Sequence, residues 1–291
     1  MRGARIRLGL AAILCSLAVT APLLQSVPAA AFFRTGPIDI PPTPELWASR
    51  LARADEVVLA TSDELRQVQS RPQPEDFVSR LVLGYEVDSA GYRYRQAVRD
   101  QQRVIFNISS QPGLSDQVEQ VAPPALAPVL HNAAGAYHAM WSLAGIDEYN
   151  LLRLHLHPLA GAEAVDTLRG YYVGAASQYQ IDWSYLASIN YIESDFGRVT
   201  GPSSAGALGP MQFMPSTWDA YGEGGDVNSP HDSIIAAARY LVLHGAWRNL
   251  DAAIFAYNHD WDYVAAVKFY ADLIRQDPSW LNRLYYWSTA G

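Results

Sequence analysis

The chain of 291 residues contains a single cysteine, Cys15, and a single lysine, Lys268. A lone cysteine excludes an internal disulfide framework, a CxxC redox centre and a four-cysteine zinc site. Basic residues are also in deficit, 21 against 29 acidic, and nowhere do four or more stand together. That excludes the basic stripe a nucleic-acid-binding surface requires, so no nucleic-acid partner is expected. Charge of either sign is sparse at 17%, against 49% hydrophobic residues, which rules out a disordered tail. Runs of period-two alternation bounded by hairpin turns are missing too, so no sheet of any size is expected. What remains is enough apolar length for a sizeable core in one or two domains.

The N-terminus carries a three-part leader. Arg2, Arg5 and Arg7 precede an apolar stretch, which ends in Pro28, Ala29, Ala30 and Ala31. This pattern predicts a signal peptide over residues 1–31, cleaved after Ala31. Pro22 and Gln25 limit the uninterrupted apolar run to about a dozen residues, short of the ~20 that span a membrane. Leu14 stands before Cys15 where a lipid-modified cysteine would follow a small residue. Cleavage would leave 18 basic residues against 29 acidic and no cysteine.

The remainder reads as mainly α. A Pro-rich lead over 32–44 is expected to be an extended tether. Trp47, Leu51, Ala54, Val58, Thr61, Leu65 and Val68 follow at alternating steps of four and three, a helical seam about six turns long. Phe77, Leu81 and Tyr85 predict a second helix closed by a turn at 88–91. A third should run from Tyr92 to about Ile108. A fourth should follow Pro123 and Pro124 on Leu126, Leu130, Ala133, Tyr137 and Trp141, with Gly145 as its stop. His157-Pro158 breaks the helical pattern, so the expected division is a helical N-terminal region at 45–157 and a second domain at 158–291. His131, His138, His155 and His157 have no acidic or cysteine partners at ligand spacing, so no metal site is assigned to them.

The chemistry is concentrated between Ile181 and Asn258. Asp182 suits the N-cap of a helix starting at Trp183. On that helix Leu186, Ile189 and Glu193 share the apolar face. A carboxyl there must be partnered or protonated, and burial raises its pKa towards the range a general acid needs. Asp195 projects from another face and is expected to cap the turn or pair with Arg198. Residues 201–216 then form a Gly- and Pro-rich loop containing Met211, Gln212, Phe213 and Met214, apolar for a surface loop and suited to lining a cleft. Ser216 or Thr217 is expected to cap a short helix. Leu250, Ala253, Ile254 and Tyr257 form a face that delivers Tyr257 and Asn258 at a helix end, and Asp260 starts the next helix.

Three ordered motifs are present: Glu193-Ser194, then S-x-x-G-A-x-G-x-M-Q-F-M-P-S-T from Ser203, then Ala256-Tyr257-Asn258. Together they resemble the signature of the lysozyme-like lytic transglycosylases of peptidoglycan, over about residues 170–270. The resemblance implies a lysozyme-like helical catalytic domain, with a short hairpin near the cleft, preceded by an additional helical region. Glu193 would be the single catalytic acid/base. Ser203, Gln212, Phe213, Met214, Tyr257 and Asn258 would contact the glycan, with Tyr257 in reach of Glu193. The implied reaction cleaves the β-1,4 bond between N-acetylmuramic acid and N-acetylglucosamine and leaves 1,6-anhydro ends. It needs no cofactor or metal. The segment at 222–229 is too short and too poor in carboxylates for a calcium loop. The protein would be exported, extracellular or cell-wall associated, or periplasmic where an outer membrane exists. The N-terminal helices would recruit a cell-wall protein partner. A non-catalytic peptidoglycan-binding scaffold and a hydrolytic lysozyme are the alternatives.

Overall fold

A computed structural model describes residues 43–144 and 161–287 of the chain. The leader, nearly all of the Pro-rich lead, His155, His157 and the expected boundary at 157–158 lie outside the described residues. Within them are eleven α-helices and no strand, only an isolated antiparallel bridge between Leu208 and Phe213 where a hairpin was expected. None of these helices is long and apolar enough to cross a membrane. The chain divides into two compact units at Ala134–Gly135, within a helix.

In the first unit, α1 (Pro44–Gln69) and α2 (Phe77–Ser109) pack against each other. Thr43 caps α1 by accepting from Leu46 N, and Pro44 occupies its first turn, where the missing N–H costs nothing. The predicted seam is realised: Trp47, Leu51, Val58 and Val68 are buried. The turn expected at 88–91 does not form, and α2 runs straight through it. Ala90 and Gly91 are buried, and a Cβ on Gly91 would lie 3.9 Å from Leu65 Cδ1. The glycine sits inside the helix, at ordinary contact distance from α1, and does not reverse the chain. A short α3 (Leu114–Val121) follows Gly113, whose φ of 71° makes the corner. Next comes α4 (Ala127–Ala144), which carries the boundary between the units.

The second unit contains α5 (Val165–Tyr179), α6 (Trp183–Ser194), α7 (Pro215–Tyr221), α8 (Pro230–Leu243), α9 (Leu250–Asn258), α10 (Trp261–Gln276) and α11 (Trp280–Trp287). Helix α6 is its axis. It packs on α5, α8, α10 and α11, and ten of its twelve residues are buried. A helix buried on all sides is a core helix, and its buried polar side chains Ser188, Asn190 and Ser194 are hydrogen-bonded. Its start is as predicted, with Asp182 accepting from Ser184 N at 2.9 Å. It ends earlier than Gly197: Asp195 and Phe196 already adopt φ of 53° and 60°. Helix α7 starts at Pro215 after Met214, with no side-chain cap, so neither Ser216 nor Thr217 has the expected role. A proline at the first turn makes that cap unnecessary.

Candidate active site

Glu193 occupies the penultimate position of α6, half-buried among fully buried neighbours. The hydroxyl of Tyr263 donates to its Oε1 at 2.7 Å. Burial of the carboxyl raises its pKa to about 7, and the Tyr263 hydrogen bond, which favours the anion, pulls the other way. Desolvation therefore dominates. Tyr263 itself is buried, and both burial and the neighbouring Glu193 push its phenol well above the usual range. It stays a donor at any relevant pH. The result is a carboxyl that is both an acid and a base near neutrality, held by one neutral hydrogen bond.

Tyr263 arrives there because of the register of α10. Asp260 caps that helix by accepting from Asp262 N at 2.8 Å. Tyr263 then falls on the same buried stripe as Val267, Tyr270 and Ile274. Tyr257, at the end of α9, does not hydrogen-bond Glu193, although that carboxyl helps to raise its phenol pKa. Its hydroxyl donates to the carbonyl of Met211 at 2.8 Å. Its ring lies parallel to that of Tyr263, with centroids 6.4 Å apart and planes 5° apart. Next to it Asn258 is buried, and its Oδ1 accepts no hydrogen bond. An orphaned amide oxygen in a protein interior costs on the order of 1–3 kcal/mol unless something outside the chain supplies a donor.

The loop after α6 is fixed to it by side-chain bonds to one carbonyl. Pro210 O accepts from Ser194 Oγ at 2.5 Å and from Asn190 Nδ2 at 2.9 Å. Tyr172 OH completes the set by donating to Asn190 Oδ1. Beyond Pro210 the chain reverses between Leu208 and Phe213, which exchange both backbone hydrogen bonds. The reversal requires Gly209: at φ 71° a Cβ would lie 1.8 Å from the carbonyl oxygen of Val227.

The remaining motif residues build this loop. Gln212, at φ 49°, donates through Nε2 to Gly209 O at 2.9 Å. Ser203 Oγ accepts from Ala207 N at 2.9 Å and closes the preceding turn. Phe213 is buried, with ring neighbours Trp218, Tyr240 and Tyr257. Met214 is half-buried at the start of α7. The structure thus brings Glu193 and Tyr257 to Tyr263, with Asn258 next to Tyr257 in the chain, while Ser203, Gln212 and Phe213 shape the neighbouring loop. The second carboxylate, Asp195, is buried against Arg198, with Oδ1 3.4 Å from Nη1. It caps α6, as its spacing implied.

Among the described residues, no three His, Cys, Asp or Glu side chains converge as metal ligands would. In the 222–229 segment, Asp226 Oδ1 accepts from Asn228 N, and Asp226 N donates to Asp232. These carboxylates hold their own turn.

Residues 171–264 match the family model of the transglycosylase SLT domain. That stretch runs from α5 to the second turn of α10 and includes every residue of the constellation, Tyr263 among them. This match is consistent with a lysozyme-like lytic transglycosylase domain in that part of the chain. No curated protein and no solved structure gives a significant match to the chain.

Proposed function

We propose that the protein is an exported lytic transglycosylase that cuts peptidoglycan glycan strands at the bond between N-acetylmuramic acid and N-acetylglucosamine. The observation that carries this reading is Glu193: one carboxyl, lifted to a pKa of about 7 by burial, with a permanent phenolic donor on one oxygen. Two-carboxylate glycosidases divide acid and nucleophile between a pair of residues. Here the nearest candidate, Asp195, is committed to Arg198 and the helix cap. The sugar's own 2-acetamido oxygen then takes the second role, as in substrate-assisted glycosidases.

The steps follow from one proton and one oxygen. Protonated Glu193 gives its proton to the glycosidic oxygen, the C1–O bond breaks, and the acetamido oxygen bonds to C1. The C6 hydroxyl then attacks C1, the acetamido oxygen leaves, and the Glu193 carboxylate takes the hydroxyl proton. The enzyme returns to its starting state with a 1,6-anhydro ring as product and no water consumed. Asn258 supports the wall of the site beside Tyr257 in this reading. Tyr263 keeps the carboxyl oriented between its two tasks. Ser203, Gln212, Phe213 and Met214 supply the glycan-facing loop, and the N-terminal helices recruit a partner at the wall.

Digestion of purified sacculi followed by mass spectrometry of the products tests this directly. Anhydro-muramyl ends are the expected result. Reducing ends alone would make it a hydrolytic lysozyme, and intact sacculi would leave a binding scaffold.

A further inference from the structure

The stretch that matches the SLT family starts at residue 171, but the compact unit that holds Glu193 already takes in Gly135. The C-terminal half of α4, from Gly135 to Ala144, belongs to that unit, and two contacts tie it to α10. At one end Ser142 Oγ donates to Asp262 Oδ2 at 2.5 Å. At the other, the edge of the Phe269 ring is seated on Gly135. A Cβ there would lie 2.6 Å from Cζ and 2.8 Å from both Cε atoms. Residues 135 and 142 on α4, and 262 and 269 on α10, are each almost two full turns apart, so each helix offers one face and the two run antiparallel. Glycine inside a helix is otherwise a cost, and here it makes room for the ring.

From these contacts we infer that α4 positions Tyr263 for Glu193, which makes Gly135, Ser142 and Phe269 positioning residues outside the family-matched stretch. Helix α10 presents two faces about 120° apart. One carries Tyr263, Val267, Tyr270 and Ile274, all buried, and packs on α6. The other carries Asp262 and Phe269 and is held by α4. Asp262 is fixed twice, since its backbone N–H donates to Asp260 Oδ1 and its carboxylate accepts from Ser142. Tyr263 is the next residue, and its hydroxyl reaches Glu193 at 2.7 Å. A hydrogen bond depends steeply on length and angle, so a drift of α10 by about 1 Å weakens it. Packing on α6 resists drift towards Glu193. Drift away from it is stopped by the contacts with α4.

The inference rests on the reading of Glu193 as acid/base only for its effect on turnover, and it is tested on the carboxyl itself. No charged group is among the causes of the Glu193 pKa, and the titratable side chains that feel this carboxyl are Tyr263 and Tyr257. Carbon NMR titration of the full chain reads that pKa without substrate, with the signal assigned by its loss in Glu193→Gln. Ser142→Ala combined with Phe269→Ala lets α10 move towards α4. The Tyr263 bond then weakens, and the Glu193 pKa should rise in the same direction as in Tyr263→Phe, by no more than in that variant. In a Tyr263→Phe background the same pair should add no further rise, because changes acting through one contact are not additive. Gly135→Leu refills from α4 the space that Phe269→Ala empties, and should return the titration towards wild type. Turnover on sacculi should fall by about tenfold at most. Where the pair does not fold, Ser142→Ala and Phe269→Ala are titrated singly. Wild-type titration of Glu193 in the folded variants, or a shift that persists undiminished without the Tyr263 hydroxyl, would overturn the inference. Sacculi left intact by the wild type would count against the reaction reading alone.

Discussion

In the N-terminal unit, α1 and α2 run for 26 and 33 residues, and no described non-glycine residue there has a positive φ. In the unit that holds Glu193, helices are 7 to 16 residues long. All six described non-glycine residues with positive φ are in it: Gln180, Asp195, Phe196, Gln212, Glu223 and His259. Each such conformation costs on the order of 1–3 kcal/mol. Four of the six flank the site: Asp195 and Phe196 follow Glu193, Gln212 lies in the bonded loop, and His259 follows Asn258. The difference separates two uses of sequence. One region spends its residues on regular packing, whereas the other accepts strained corners around a carboxyl and a phenol that two helices bring together.

The sharpest way to break that comparison is to remove one proton. Glu193→Gln should lower turnover on sacculi by ~10²–10⁴-fold, the usual contribution of a positioned acid/base. The same variant should be more stable than wild type at neutral pH. With a folded pKa of about 7 against 4.5 unfolded, the contribution of this carboxyl to wild-type stability is fully present below pH 4.5. The wild type loses that advantage as pH rises from 4.5 to about 7, because the unfolded chain releases the proton first. The gap between the two proteins should therefore open by roughly 2–3 kcal/mol across that window, allowing for partial exposure, and close in acid. Denaturant titrations at two pH values read it; a gap that widened towards acid would contradict the buried-acid account.

Two substitutions should shift stability and leave opposite marks on chemistry. Gly209→Ala forces a Cβ into the carbonyl of Val227, and it should cost several kcal/mol and most of the activity together. Leu51→Ala opens a cavity between regular helices and should cost ~2–5 kcal/mol, with turnover per folded molecule unchanged. Chemical melts paired with product assays separate these outcomes. Equal losses of activity would erase the distinction between the two regions.

Smaller effects refine it. Tyr263→Phe removes the bond that favours the Glu193 anion, so the pKa of that carboxyl should rise further. The alkaline limb of the rate profile should move up in pH while turnover falls about tenfold. A structural role alone would leave the profile in place. Asp195→Asn should be mildest. Asparagine tolerates the left-handed cap, so kcat should stay within a few-fold of wild type.

What could be read beforehand follows the same division. The heptad steps from Trp47 to Val68 announce α1, and Asp182 and Asp260 announce α6 and α10, because periodicity and caps are local signals. Glu193 was legible as an acid on an apolar face. The continuity of α2 was not: Gly91 looks like a stop unless the helix packed against it is known. Tyr263 was missed although a signal existed, since a tyrosine on the stripe of Val267 and Ile274 must find a partner for its hydroxyl. Which hydroxyl would reach Glu193, Tyr257 or Tyr263, depends on how α9 and α10 are set against α6. No spacing along the chain contains that information.

The source of the high Glu193 pKa has a further consequence. Burial lifts it, with no neighbouring anion among the causes. Mobile ions screen repulsion between charges, but they cannot restore water to a buried carboxyl. The pH optimum of any activity that depends on Glu193 should therefore stay where it is as ionic strength rises. A carboxyl set in this way would keep its proton affinity constant across a wide range of salinity.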